Sequence, residues 1–354
     1  MGIINQKSAF YELMEKECEI SGFTSIASIP LDTKKMKVLS SELNVFFQGN
    51  KISKWPGYIK KTAAARADII SAFPWGKSLI MTALPFRMVP ASKNKLPEAE
   101  CDELSGLIAG YAANKTDYHI HLNFLLKGLL ERLSEFSGME IRAEICIDTK
   151  PLAEKPLAAI SGLGKIGMNS CILCPDEGSG ICIGSIISSL SLPEYHSSKA
   201  VDIPCSNCAK CRKSCPAGAI GEKNEAFEID RCISYLSMEK KGILTAEERK
   251  MLGEWIFGCD ICTSSCPDSN IPPPVAIDLQ WLLLSSAKEI EKTIADTPLA
   301  HTGITRLRRN AMAVLANKKS EQSTALLEKC ILTLNSDLLK ETAYQILNEK
   351  DIKL

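Results

Sequence analysis

Cys205-Ser-Asn-Cys208-Ala-Lys-Cys211-Arg-Lys-Ser-Cys215-Pro216 decides how the rest of the chain is organised. In a C-x2-C-x2-C-x3-C-P run, three thiolates wrap one [4Fe–4S] cube and the fourth ligates a second. Such a run requires a partner set, and Cys259-Asp-Ile-Cys262-Thr-Ser-Ser-Cys266-Pro267 supplies it. The partner lacks its first cysteine: three positions before Cys259 stands Ile256, which cannot bind iron. The nearest replacement is Cys232, in Asp-Arg-Cys232-Ile-Ser-Tyr, and it completes a set of eight thiolates. Crossed pairing then puts Cys205, Cys208, Cys211 and Cys266 on one cluster and Cys215, Cys232, Cys259 and Cys262 on the other. Structural zinc and disulfides are the alternatives. Zinc ribbons use pairs of C-x2-C and need no x3-C-P tail. Disulfides suit small secreted domains rather than a chain of this length. Pro216 and Pro267 stop any helix from continuing past the ligand.

The chain has 354 residues, enough for about two or three domains with their own cores. Apolar residues make up 45% and charged residues 24%, which is ordinary for a soluble protein. Lys+Arg and Asp+Glu are 42 each, so the net charge is zero; this excludes a general nucleic-acid-binding coat and leaves room for a local basic patch. Of fifteen cysteines, Cys18, Cys101, Cys146, Cys171, Cys174, Cys182 and Cys330 lie outside the ligand set. Reduced thiols and oxygen-sensitive clusters predict a cytoplasmic location. The sequence shows no secretory or twin-arginine start, and its apolar runs fall well short of the ~20 residues that span a bilayer, so no membrane partner is expected.

Taken in order, residues 1–60 read as helices and loops, with spaced apolar positions from Gln6 to Cys18 and a turn at Trp55-Pro-Gly. Thr62–Phe73 reads as a helix and Ser78–Leu84 as a buried strand, followed by a polar loop over 88–100. Asp117–Phe136 reads as an amphipathic helix with Ile120, Phe124, Leu125, Leu129 and Leu133 inward. Glu140–Asp148 alternates strictly: Ile141, Ala143, Ile145 and Ile147 face one way, Arg142, Glu144 and Cys146 the other. A short helix is expected to begin near Lys150, and Ile181–Leu190 is a second apolar strand. Pro272-Pro-Pro274 reads as the exit from the cysteine region, with only helices after it. There, Thr305–Asn317 precedes an antiparallel pair, Gln322–Leu334 and Asp337–Asn348, the unit from which a HEAT-type repeat is built. The fold class is α+β.

Outside the cysteines, Gly162-x-Gly164-x-x-Gly167 matches a dinucleotide fingerprint only as a bare pattern, since no strand leads into it and no acidic residue follows at the required distance. A tight loop lying close to a flat ligand fits better. Asp148 ends an alternating strand, where α/β folds place chemistry, although an aspartate there also caps helices well. The histidines are His119, His121, His196 and His301, and each reads as structural. No Asp-x-His-x-x-Gly motif, which supplies an axial histidine to cobalamin, is present. Arg306-Leu-Arg308-Arg309-Asn310 is the sharpest basic cluster, either a solvated face or a phosphate contact.

Together these segments resemble the epoxyqueuosine reductase family. The similar stretches include Pro74-Trp-Gly-Lys-Ser78, Asp117-Tyr118-His119, Asp148-Thr-Lys-Pro151-Leu-Ala-Glu-Lys155-Pro-Leu-Ala-Ala159 and Gly162-Leu-Gly164-Lys-Ile-Gly167. Further on they include Gly178-Ser179, both cysteine runs, Arg231-Cys232-Ile-Ser-Tyr-Leu236 and the segment from Leu307-Arg-Arg309-Asn310 to Asn317. The resemblance implies an N-terminal α/β cobalamin-binding catalytic domain (1–200), an inserted ferredoxin-like domain with two [4Fe–4S] clusters (201–272) and a helical HEAT-like C-terminal domain (273–354). It implies Cys232 as a cluster ligand, Asp148 as proton donor, and cobalamin held without an axial histidine by Lys155, Gly162, Gly164, Lys165, Ile166, Gly167, Asn169 and Ser234. It further implies a monomer that takes electrons from an external low-potential donor and contacts tRNA through Arg306, Arg308 and Arg309.

The chain departs from the family where the pocket is expected. The usual loop reads Gly-Leu-Gly-Trp-Ile-Gly-Lys, and here Lys165 replaces the tryptophan and Met168 the final lysine. Cys174-Pro175 stands for Asn-Pro, Gly180 for a tryptophan, and Pro-Asp-Ser-Asn270 for Pro-Trp-Asn. These changes bear on the substrate. A cytoplasmic cobalamin and iron–sulfur reductase of another substrate, akin to reductive dehalogenases, is one alternative. An electron-transfer module is the other; it would need neither Asp148, nor the glycine loop, nor the long region ahead of the clusters.

Overall fold

The computed structural model describes residues 3–49, 55–197, 205–222, 227–267 and 269–351; the expected boundary at 200/201 and Asp268 lie outside them. A five-stranded sheet forms the centre of the first region, in the order Ala143–Cys146, Ile181–Ser188, Ser78–Pro85, Ser25–Pro30, Tyr195–His196, each neighbour antiparallel. Both faces are covered. Helices Ile3–Ser21 and Tyr118–Ser137 close one, burying Phe10, Met14, Leu122, Leu126, Leu129 and Leu133 against Ile26, Ile80 and Ile186. Met36, Ile69, Leu157, Ala158 and Ile172 close the other, against Ile29, Leu79, Met81 and Ile187. A strand buried on both faces reads as a continuous apolar run rather than an alternating one, which is why Ser78–Pro85 is buried along its whole length.

Ser25–Pro30 corrects the expectation of helices and loops over residues 1–60: with only two large apolar side chains, Ile26 and Ile29, it is a central strand by position. Thr62–Phe73 is not one helix. Short helices Ala63–Ala67 and Ile69–Ala72 occupy the stretch, with Gly57–Lys61 just ahead of it, and Asp68 caps Ile69–Ala72 through Ile70 N–H and Ser71 N–H. The Tyr118–Ser137 helix is where the sequence puts it, but its inward face is Leu122, Leu126, Leu129 and Leu133, leaving Ile120 and Phe124 58% and 73% exposed.

A second sheet corrects the idea that only helices follow Pro274. Val275–Asp278 runs antiparallel to Ser105–Ile108, which runs parallel to Trp255–Phe257. One strand thus comes from each of the three expected regions. Behind it Ile304–Lys318, Glu321–Thr333 and Asp337–Asp351 pack as helices through Leu307, Met312, Leu327, Leu339 and Ile346. Among the described residues, no helix is long and apolar enough to cross a membrane.

Candidate cluster site and its carboxylate neighbour

The first cysteine run folds as two short helical turns, Cys205–Cys208 and Lys210–Ser214, hinged at Ala209 with φ of 50°. Cys232 immediately precedes helix Ile233–Met238, and Cys259 and Cys262 flank the start of Ile261–Ser264. Ile256, at the position of the missing cysteine, is fully buried within its strand, so a ligand there would have to leave the core. None of the fifteen cysteines is in a disulfide. The sulfurs also stand too far apart for zinc. Zn–S bonds of about 2.3 Å put tetrahedral thiolates about 3.8 Å from each other. Among the described residues, no three cysteine sulfurs come within 4.8 Å of one another.

The thiols sort into two neighbourhoods. Cys211 feels the charges of Cys205 and Cys266. Cys259 feels Cys232 and Cys215, and Cys262 feels Cys171, Cys259, Cys232 and Cys215. Burial pushes the Cys259 thiol up to about 12, so a cation that displaces its proton would be needed to hold it as thiolate. The donor set fits two [4Fe–4S] clusters.

The glycine segment is a hairpin laid over these cysteines. Lys165–Ile166 pairs with Ile172–Leu173, the Met168 N–H lies 3.4 Å from the Cys205 sulfur, and Asn169 Nδ2 donates to the Cys262 carbonyl at 3.5 Å. Its glycines are set against protein neighbours. Gly162 has φ of +84° and its Cβ would meet the His196 ring at 3.1 Å; a Cβ on Gly164 would lie 2.6 Å from the Leu173 carbonyl. Gly167 and Asn169 are buried, whereas Lys155, Lys165 and Ile166 are exposed and free to meet a ligand. Ser234 sits in the first turn after Cys232. The family-departing loops also meet: Ser179 N–H donates to Ser269 Oγ at 3.0 Å and Asn270 N–H to the Glu177 carbonyl at 3.2 Å.

Asp148 follows the Ala143–Cys146 strand with φ of +56°, a left-handed conformation that strains a non-glycine residue and favours aspartate among the exceptions. Its side chain is 55% exposed. The Tyr118 hydroxyl donates to Asp148 Oδ2 at 2.6 Å, and His119 Nε2 stands 3.9 Å from the same oxygen. Burial and the Asp148 charge hold the Tyr118 phenol well above its ordinary value, so it stays a donor. The helix-cap reading of Asp148 does not hold. The following helix is Glu154–Ile160, and the Asp148 backbone N–H donates to Glu154 Oε1 at 2.9 Å. Burial first, and then the Asp148 charge, pushes the Glu154 carboxyl up to about 9.

Asp117 caps the Tyr118–Ser137 helix through His119 N–H. Its Oδ1 also meets His119 Nδ1 at 2.7 Å and its Oδ2 meets His301 Nε2 at 2.5 Å. Sequence reasoning left these histidines as structural and missed Tyr118 and Glu154. Asp117-Tyr118-His119 carried a signal as a tripeptide; His301 carried none, because only the fold brings it there.

The phosphate-contact expectation fails for Arg309. It is 1% exposed, and its guanidinium donates to the carbonyls of Leu236 at 2.8 Å, Lys240 at 2.6 Å and Gly242 at 3.0 Å. Asn310 beside it donates to the Ser237 and Ile256 carbonyls, both at 2.7 Å. Arg308 donates to the carbonyls of Leu282 and Ser285, and Arg306 to that of Met238. With its donors turned to buried carbonyls, Arg309 together with Asn310 braces the Cys232 and Cys259 segments from behind, whereas Arg306 and Arg308 are half-buried.

Residues 204–269 match the family described as 4Fe-4S double cluster binding domain, and residues 66–149 match Epoxyqueuosine reductase QueG, DUF1730. The epoxyqueuosine reductase of Salmonella typhimurium is 32% identical over 254 residues, covering 68% of this chain. The chain spans 62% of that relative's length. The structure of epoxyqueuosine reductase from Streptococcus thermophilus superposes with TM-score 0.77 at 24% identity, over 94% of this chain and 88% of that one. A crystal structure of epoxyqueuosine reductase with a tRNA-Tyr epoxyqueuosine-modified stem loop gives TM-score 0.76 at 23% identity, over 94% and 88%. The first match carries the eight-cysteine region, the second the segment that ends in Asp148-Thr149, and the folds agree across nearly the whole chain: the chain belongs to the epoxyqueuosine reductase family.

Proposed function

We propose that the chain reduces epoxyqueuosine to queuosine in tRNA, with residues 1–200 as the cobalamin-binding catalytic region, 201–272 as the two-cluster region and 273–354 as a helical support. The observation that carries this is a juxtaposition. One loop system presents a carboxyl group, Asp148, whose Oδ2 is held by Tyr118 at 2.6 Å, and a hairpin whose Met168 backbone reaches the Cys205 sulfur and whose Asn169 side chain reaches the Cys262 carbonyl. In this reading proton delivery and electron delivery converge, since Tyr111 feels the charges of both Asp148 and Cys259. Asp148 protonates the oxygen that leaves as water, while electrons arrive from an external low-potential donor through clusters held by Cys205, Cys208, Cys211 and Cys266, and by Cys215, Cys232, Cys259 and Cys262.

Cobalamin, when bound, supplies the low-valent cobalt chemistry that opens the epoxide. The residues present fit it: exposed Ile166 lines, with Val38, Leu39, Phe46 and Ile160, a largely apolar groove of about 780 Å³ that also carries Lys34, Lys35 and Glu42, and Lys155 and Lys165 are exposed next to it in the chain, a surface suited to a flat macrocycle with polar side groups. The protein acts in the cytoplasm as a monomer, where its tRNA substrate is. Anaerobic turnover with epoxyqueuosine-containing tRNA tests the assignment: queuosine should form with a reduced donor present. A corrinoid-bearing, iron-loaded protein that leaves the tRNA untouched would favour the reductase of another substrate, which the Lys165, Met168 and Gly180 departures would then explain.

A further inference from the structure

Removing an epoxide oxygen as water consumes protons as well as electrons, so Asp148 must be recharged in every turnover. Three side chains beside it form a connected set. His119 Nε2 faces Asp148 Oδ2 at 3.9 Å, its Nδ1 is 2.7 Å from Asp117 Oδ1, and Asp117 Oδ2 is 2.5 Å from His301 Nε2. A carboxylate on Nδ1 fixes the tautomer and ring orientation of an imidazole and favours its charged form, leaving Nε2–H as the deliverable proton. Asp117 is itself immobilised, buried at 5% exposure between the N–H of His119 and the two rings. The His119 ring stacks on Tyr118, with centroids 4.2 Å apart, and lies edge-on to His301 at 5.3 Å, so it cannot swing freely.

We propose that His119 hands its Nε2 proton to Asp148, with Asp117 and His301 as the positioning residues that hold the ring for the transfer. The inference rests on the proposed reductase reading. In the step, the Nε2–H bond of the imidazolium breaks and an O–H bond forms on Asp148, once the 55% exposed carboxyl closes the 3.9 Å gap to hydrogen-bond length. The imidazole is left neutral, its Nδ1–H still bonded to Asp117, and it regains a proton from solvent. Asp148 enters the next turnover as a neutral acid.

The groups that face His119 are Asp117, Tyr118, Asp148 and His301; Asp148 is also faced by Glu154, Tyr111, Tyr58 and Cys182. Burial alone would discharge His119, and the Asp117 carboxylate outweighs it, so the imidazole is held above its ordinary value. Glu154 is the rival proton source, because it touches Asp148 and stays protonated.

Two measurements test the transfer. In NMR titration, where the chain's four histidines are few enough to assign, the His119 titration should move to lower pH in both Asp117→Asn and Asp148→Asn. This readout needs no turnover, so it stands apart from the reductase reading, which fails separately if the wild type leaves epoxyqueuosine tRNA unreduced. In turnover, His119→Ala should lose about tenfold or more in kcat at unchanged KM, part of the usual worth of proton transfer. Added imidazole should restore part of that rate; a packing defect would not respond. The proposal is overturned by a His119 titration indifferent to Asp148→Asn. Full turnover by His119→Ala beside loss in Glu154→Gln also overturns it, as does stoichiometric zinc or manganese that Asp117→Asn removes, which would make the three residues a metal site.

Discussion

The backbone N–H of Asp148 donates to Oε1 of Glu154 at 2.9 Å, so the first residue of the helix secures the last turn of the strand, the reverse of a helix cap. This bond fixes a left-handed aspartate at the edge of the site, and it sets Glu154, a half-buried acid, beside a neighbour whose charge opposes its ionisation.

Glu154 should therefore leave a mark on stability against pH. Its folded value of about 9 lies above the ordinary 4.5, so between these values the folded protein keeps a proton that the unfolded chain has released. Its contribution is fully present below about pH 4.5 and is lost as the pH rises through about 9. Glu154→Gln keeps the acceptor and never ionises. Urea denaturation from pH 5 to 9 should show a flatter decline for the variant than for the wild type; parallel curves would mean that the carboxyl titrates normally.

Asp148→Asn separates acid from scaffold. The amide keeps an acceptor for the Tyr118 hydroxyl and cannot deliver a proton. General acids contribute about 10²–10⁴-fold, so turnover of epoxyqueuosine tRNA should fall at least about a hundredfold with both clusters retained. The loss belongs in kcat more than in binding. Near-normal turnover would remove Asp148 from the chemistry.

Arg309→Ala should cost stability and not RNA affinity as such. Truncation leaves the Leu236, Lys240 and Gly242 carbonyls without their donor in a buried site. Orphaned polar groups cost about 1–3 kcal/mol each, so a total of roughly 3 kcal/mol or more is expected. Differential scanning fluorimetry reads it directly. A variant that melts with the wild type but binds tRNA more weakly would restore the phosphate role.

How much of this was legible depended on whether the signal was local. The cysteine runs declare themselves because cube ligation fixes spacing along the chain, and Ser78–Pro85 and Ile181–Ser188 declare themselves because strands covered on both faces are continuously apolar. Ser25–Pro30 did not, since its serines are paid no attention by periodicity and its place in the sheet depends on Ser78–Pro85 and Tyr195–His196. Val275–Asp278 is a strand only because Ser105–Ile108 is there to pair with it. The inward face of Tyr118–Ser137 was misjudged because Ile120 and Phe124 are as apolar as the leucines that are buried. Arg309 shows the same limit: a basic triplet looks the same whether it meets phosphates or three backbone carbonyls.

Cys232 is the one ligand whose place in the set came from counting rather than from a motif, and the structure sharpens its test. Ile256 is fully buried in the Trp255–Phe257 strand, so the missing first cysteine has no local substitute there. Cys232 stands at the start of Ile233–Met238 and shares its surroundings with Cys215 and Cys259. Cys232→Ser should lower the iron of anaerobically reconstituted protein from about eight to about four per chain, since serine is a poor ligand for the cube. The cluster that remains should be the one on Cys205, Cys208, Cys211 and Cys266. One thiol complicates a simple count: Cys171, on the glycine hairpin, is the non-ligand cysteine nearest in effect to Cys262. Cys171→Ser alone should leave the iron unchanged. If Cys232→Ser kept about eight irons, the double variant would decide the cause: loss only in the double would mean that Cys171 had moved in to replace Cys232, whereas about eight irons in the double would remove Cys232 from the ligand set.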